Sequence, residues 1–154
     1  QHAIVVGAHY DFTGKGSAGV VDNWTGAALL PALFLSLKGE PRRHEMIFVG
    51  FSAEEEGLLG SKAFVKQLGK AGLERIRAMV NLDSLGLTDS KVAGSQSDKD
   101  LLLRLAEVAQ SMELPLGRVD VDKVGLSDGL SFRQKKVKTI ELHSITQETW
   151  PVLH

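Results

Sequence analysis

No cysteine occurs among the 154 residues, so neither disulfides nor thiolate metal sites can form. Net charge is almost absent too, with 18 Lys and Arg against 19 Asp and Glu. No basic stripe stands out along the chain, which argues against nucleic acid as a partner. Long apolar runs are missing as well. Those present are broken by Gly, Pro or charge, and none reads as a membrane span. No internal repeat, low-complexity tract or interdomain linker is visible. What remains, 43% hydrophobic and 24% charged, is the composition of a soluble globular protein. The length suits one domain with a real core and is too short for two. Gln1 is not an initiator Met, a strand begins almost at once, and the chain stops after Trp150-Pro151-Val152-Leu153-His154 without a closing helix. The expectation is therefore a single domain over residues 1–154, cut at both ends, from which any signal peptide has already gone.

Ala3 to Ala8 is a continuous apolar run ending in Gly7-Ala8, the pattern of a strand buried on both faces. A Gly-rich loop follows over 10–22. Asn23 or Thr25 can cap a helix running to about Lys38, with Leu29, Leu30, Leu33, Phe34 and Leu37 on one side. Pro31 inside it predicts a kink or a shifted start. Met46 to Phe51 reads as a second buried strand, Gly57 to Leu68 as a helix, Ala78 to Leu82 as a third strand and Lys91 to Ala93 as a short fourth. Ser97, with Asp100 three residues on, opens a helix to about Met112 in the manner of a capping box. Val119 to Val121 reads as an edge strand, Ser127 as the cap of a short helix, and Val137 to Leu142 as the last strand. Strands alternating with helices predict an α/β fold, a largely parallel sheet between helical layers.

Several candidate ligands then fall in one place. His9 follows the first strand, Glu54 and Glu55 the second, and Asp83 the third. In an open parallel sheet, ligands gather just beyond the carboxyl ends of the strands. Carboxylates crowded there repel one another and raise their pKa values unless a cation intervenes. Asp22, Glu55 and Asp83 with one hydroxide would balance two divalent ions, which favours two metals over one. Singly, each piece has an ordinary explanation: a polar loop for His9-x-Asp11, a helix start for Glu54-Glu55-Glu56, an N-cap for Asp22-Asn23. What those explanations leave unaccounted is why all the pieces stand at strand ends.

Gly7-Ala8-His9-Tyr10-Asp11, Val21-Asp22-Asn23-Trp24-Thr25-Gly26, Ser52-Ala53-Glu54-Glu55-Glu56-Gly57-Leu58-Leu59-Gly60-Ser61 and Asn81-Leu82-Asp83 together resemble the co-catalytic zinc aminopeptidases. That family also holds glutaminyl cyclases, glutamate carboxypeptidases and receptor ectodomains without activity, and the resemblance runs in order along nearly the whole chain. It implies a three-layer α/β sandwich with a mostly parallel, mixed central sheet. It implies two zinc ions, with His9 and Asp83 on one, Glu55 on the other and Asp22 shared. It makes Glu54 the general base and Asp11 the carboxylate that holds His9 in its tautomer. The implied reaction is hydrolysis of the first peptide bond of a peptide with a free amino terminus, by water bridging the two metals. The rivals are a glutaminyl cyclase-like or carboxypeptidase-type enzyme on the same scaffold, or an inactive binding domain. A secreted or periplasmic setting follows from the resemblance alone.

For the fifth protein ligand, strand-end logic favours His143, directly after the last strand. The family takes it from a later loop, which His154 fits, and His154 is preferred. Where family members often carry Ser-Asp-His, this chain has Ser127-Asp128-Gly129, so a pocket contact is missing while Asp128 stays near the expected site. Trp24 lines a specificity pocket or packs in the core, and His2 and His44 are expected to be exposed.

Overall fold

The computed structural model describes residues 2–14, 16–120 and 125–153. The longest unbroken apolar run becomes the most enclosed strand. β1 (Ala3–His9) lies between β2 (Glu45–Phe51) and β3 (Ile76–Leu82), parallel to both, and only Ile4 of its seven residues is not buried. Successive residues point to opposite faces, so Val5 and Val6 seed two different cores. Val5 joins Phe51, Val65, Met79 and Phe132 on one face. Val6 joins Ala8, Leu30 and Leu82 on the other.

The helices that close those cores follow from the same alternation. α1 (Thr25–Leu37) packs over β1 and β2. α2 (Leu59–Arg75) and the short α4 (Gly129–Arg133) cover the opposite face, and α3 (Lys99–Ser111) lies against the last strand. The sheet continues from β3 to β6 (Thr139–His143), which runs parallel to β3 and antiparallel to β4 (Lys91–Val92); β5 (Gly117–Arg118) forms the far edge, parallel to β4. The order is β2-β1-β3-β6-β4-β5. This is the expected three-layer α/β sandwich, mostly parallel, with β4 and β5 at one edge running opposite to the other four strands.

Several boundaries differ from the sequence reading, each for a local reason. α2 runs on to Arg75, interrupted at Gly69, whose positive φ of 59° no longer fits a helix. The cap of α3 is Asp98, not Ser97: its carboxylate accepts from the Asp100 and Leu101 amides, while the Ser97 hydroxyl accepts from the Glu141 amide. Ser127 does not cap α4 with its side chain and is used elsewhere. The edge strand falls at Gly117–Arg118, not 119–121, and Val121 lies outside the described residues. α1 buries only Gly26 and Leu30, leaving Leu29 and Phe34 largely exposed. Val20–Leu37 is long and apolar enough by composition to cross a membrane, which the sequence reading did not expect; in this fold the segment lies over β1 and β2.

Candidate metal centre

Because β1, β2 and β3 are parallel and in step, with His9 opposite Phe51, their carboxyl ends open on one side of the sheet. The chain beyond each end turns into a common cavity of about 500 Å³. His9, Asp22, Glu54, Glu55 and Asp83 all line it. The sequence placed these residues together by strand-end logic, and the fold does so.

The loops are held by the backbone as much as by side chains. Asp11 accepts from the amides of Glu54 (3.1 Å) and Glu55 (3.2 Å), binding the turn after β2 to the loop after β1. The nearest acceptor for His9 Nδ1 is the Asp11 carbonyl at 3.2 Å, with the Asp11 carboxylate at 3.6 Å. Asp11 thus orients the imidazole chiefly through its main chain and spends its carboxylate on the glutamate turn. Asn23, 1% exposed, does a parallel job: Nδ2 donates to the Leu82 carbonyl at 2.9 Å, and Oδ1 accepts from Gly26 and Ser84 amides, each at 3.1 Å. The N-cap position of α1 is Trp24, neither Asn23 nor Thr25; Asn23 accepts from the Gly26 amide from one residue further out, and the same side chain ties the Asp22 loop to the end of β3. Gly26 is required at this point, since a Cβ there would lie 2.5 Å from Asn23 Oδ1 and 2.6 Å from the Leu82 carbonyl. Ala53 and Ser84, each beside a candidate site residue, hold positive φ of 53° and 51°. Non-glycine residues in that region are uncommon and concentrate at functional loops.

At the centre, His9 Nε2 is 3.1 Å from Asp22 and 3.6 Å from Asp83. Ligand atoms of His9, Glu54 and Asp83 all lie within 4.8 Å of one another. Glu54, expected as the base, is thus the glutamate that reaches this compact group, while Glu55 lines the same cavity. Asp83 accepts from the Ser127 hydroxyl at 2.7 Å and the Ser84 hydroxyl at 3.0 Å.

The electrostatics are those of a site built for positive charge. Burial opposes a proton on His9, but hydrogen bonds to Asp22 and Asp83 override it and push its pKa up to about 12. Burial pushes Glu54 up to about 9, against the pull of His9 and with help from Asp83 and Asp128. Burial would raise Asp83 also, yet its bonds to His9, Ser127 and Ser84 hold it below the usual range. A protonated imidazole therefore does for these carboxylates what a divalent cation does better. Imidazole nitrogen with carboxylate oxygens is a donor set that suits zinc, and also manganese or cobalt.

The remaining candidates divide. His143 is buried, its Nδ1 accepts from the Ile145 amide at 3.1 Å, and Nε2 faces the Val119 carbonyl at 3.4 Å. Both of its ring nitrogens are engaged and burial lowers its pKa, and it lines the same cavity as His9 and Asp83. His154 lies outside the described residues. Asp128 is fully buried, and burial lifts it to about 6 while the Ser61 hydroxyl and His9 pull it back. Trp24 is 66% exposed and serves neither core nor cavity; His2 is exposed and His44 half-buried. The sequence reading missed Asn23 as a tie, Ser127 as a partner of Asp83, and Glu141. Burial drives Glu141 up to about 7 even against the Arg133 guanidinium, 2.6 Å away. Its signal was available: a charged residue inside the apolar run Thr139-Ile140-Glu141-Leu142.

Comparison with known proteins follows the same lines. The profile of peptidase family M28 matches residues 1–151. Aminopeptidase YwaD of Bacillus subtilis is 31% identical over 131 residues, 85% of this chain and 27% of that protein. Leupeptin-inactivating enzyme 1 of Streptomyces exfoliatus is 38% identical over 86 residues, 54% of this chain and 19% of that protein. The chain thus spans roughly a quarter or less of these curated relatives. Among solved structures, a zinc aminopeptidase from Bacillus subtilis superposes with a TM-score of 0.83 at 27% identity, over 96% of this chain and 37% of that one. A glutaminyl cyclase from an Acidobacteriales bacterium gives a TM-score of 0.74 at 19% identity, over 92% of this chain and 54% of that one, a likeness of fold alone.

Proposed function

Because the chain belongs to peptidase family M28, we propose that it is the catalytic core of a zinc aminopeptidase that removes the first residue of peptides with a free amino terminus. The observation that carries this reading is the compact group of buried His9 with half-buried Glu54 and Asp83, in a cavity that Asp22 and Glu55 also line. Two zinc ions are assigned to it: His9 and Asp83 on one, Glu55 on the other, Asp22 between them, and His154 as the fifth protein ligand. Zinc held there supplies Lewis acidity, polarising a scissile carbonyl and bringing the pKa of water toward 7.

The chain's own residues do the rest. Glu54 takes a proton from the attacking water as the new C–O bond forms. It returns that proton to the amine nitrogen as the C–N bond breaks. Glu54 is able to act as a base only once a nearby positive charge has brought it down from about 9. Asp11 fixes both the imidazole of His9 and the turn that presents Glu54. Leu126, Leu130 and Ile145 give the cavity an apolar wall for the side chain of the first residue. Leucine p-nitroanilide and a peptide with N-terminal glutamine, assayed with and without added zinc, test the reading. Zinc-dependent release of nitroaniline is expected; cyclisation of the glutamine without hydrolysis would replace it with a cyclase.

A further inference from the structure

Beside the acidic cavity, on the outer side of α2, lies a larger groove of about 1010 Å³ with the opposite charge. Lys62 and Lys66, at the four-residue spacing that puts them on a single helix face, line one wall together with Lys70, which follows the break at Gly69. Lys135 and Lys136, after α4, and Arg77 of β3 line it too. Lys138 also reaches the groove but is paired with Asp98 and Asp100. Glu74 is the sole acid among the lining residues, and it pairs with Lys70 at 4.0 Å. Among the described residues Lys66, Lys135, Lys136 and Arg77 have no ion pair. The sequence shows no basic stripe because three of these cations come from α2, Arg77 from β3, and Lys135, Lys136 and Lys138 from the chain before β6, more than 50 residues after β3.

The two cavities adjoin: Lys62 and Gln134 line both, so a peptide leaving the acidic site would meet the lysine face across these two side chains. Lys62 and Lys66 stand about 6 Å apart along the helix at 1.5 Å per residue, and Lys70 lies beyond the break at Gly69. The face is thus long enough to meet more than one residue of an extended peptide, at roughly 3.3 Å each. The floor is apolar, with Val65, Leu73, Ile76 and Val137 beneath the amines. The charges therefore form a dipole: carboxylates where a free amino terminus would sit, and amines along the groove that adjoins it.

We infer that this groove holds the part of the substrate downstream of the scissile bond, and that it selects peptides with acidic residues there. The inference rests on the aminopeptidase reading and deepens it from reaction type to substrate class. Complementary charge of this exposed kind acts through encounter and weak binding, and is screened by salt. Its effect is expected in KM more than in kcat.

The test uses the zinc-loaded chain and three substrates: leucine p-nitroanilide, which has nothing downstream, and two hexapeptides, Leu-Gly-Gly followed by three Asp or by three Lys. If the anilide is not cleaved, the aminopeptidase reading fails, independently of the groove. If it is cleaved, kcat/KM for the acidic over the basic peptide is expected at about 5–10-fold in low salt, shrinking as ionic strength rises. The double variant K66E/K70E should bring that ratio to one or below, and K66Q/K70Q to an intermediate value. A wild-type ratio near one, or a ratio unmoved in both variants, overturns the inference. Tighter retention of single-stranded DNA than of the acidic peptide, lost in the same variants, also overturns it, because the groove would then be a nucleic-acid surface.

Discussion

Two clusters of charge lie side by side in this molecule and are built on opposite plans. In the strand-end cavity the charged groups are buried or half-buried and held by amides and hydroxyls, and His9 and Glu54 are strongly displaced in their titration. Along α2 the lysines are exposed: Lys62 donates to the Gly57 carbonyl and Lys70 pairs with Glu74, while among the described residues Lys66, Lys135, Lys136 and Arg77 of the groove have no ion pair. The difference teaches where precision is spent. A buried carboxylate is worth placing only if its surroundings fix it and a cation compensates it. An exposed lysine costs almost nothing to add or remove, so it tunes attraction without touching the fold.

The contrast is most directly tested where it is sharpest. Glu54→Gln should lower kcat by about 10²–10⁴-fold with zinc still bound; activity near that of the parent would remove Glu54 from the role of base. Next in size, Asn23→Ala strips partners from the Leu82 carbonyl and from the Gly26 and Ser84 amides. Thermal or urea unfolding should record a loss of about 2–4 kcal/mol, and zinc affinity should fall with it, as the loops carrying Asp22 and Asp83 loosen.

Titration gives a third handle, with a definite sign. In the metal-free chain Glu54 keeps its proton up to about pH 9 instead of 4.5, and His9 up to about 12 instead of 6.5. The folded state thus holds more protons than the unfolded one from about pH 4.5 upward, so stability falls as pH rises through both windows. Zinc must displace those protons, so the gain in melting temperature on adding zinc should grow with pH. A zinc effect that shrinks between pH 6 and 8 would contradict the assignment. Smallest of all, Lys66→Ala or Lys70→Ala should change stability by less than about 0.5 kcal/mol; a larger loss would mean that the groove is structural after all.

Much of this was legible in the sequence, unevenly. The strands of the site were readable because buried parallel strands are continuous apolar runs, and residues 3–8, 46–51 and 78–82 are of that kind. Ligand candidates followed from being the first polar residues beyond those runs. Caps were read less well: Ser97 and Asp98 are equivalent on paper, and only the position of Glu141 decides which one turns toward the helix. Asn23 looked like a cap because its Oδ1 accepts from the Gly26 amide; the bond to Leu82, 59 residues away, leaves no local trace. The lysine groove had no local pattern either, since it exists only where α2 meets the chain entering β6.

The hydrogen bonds from Asp11 and Asn23 have a kinetic meaning as well. They join residues 43 and 44 apart in the first case, and 59 and 61 apart in the second. No short stretch of the chain can assemble the cavity, and contacts of such separation form late and slowly. An unfolded or half-made chain therefore has no concentrated ligand set to capture metal. Under this topology zinc uptake at the proposed site would act as a checkpoint: it would report that β1, β2 and β3 have all docked, and then hold them there.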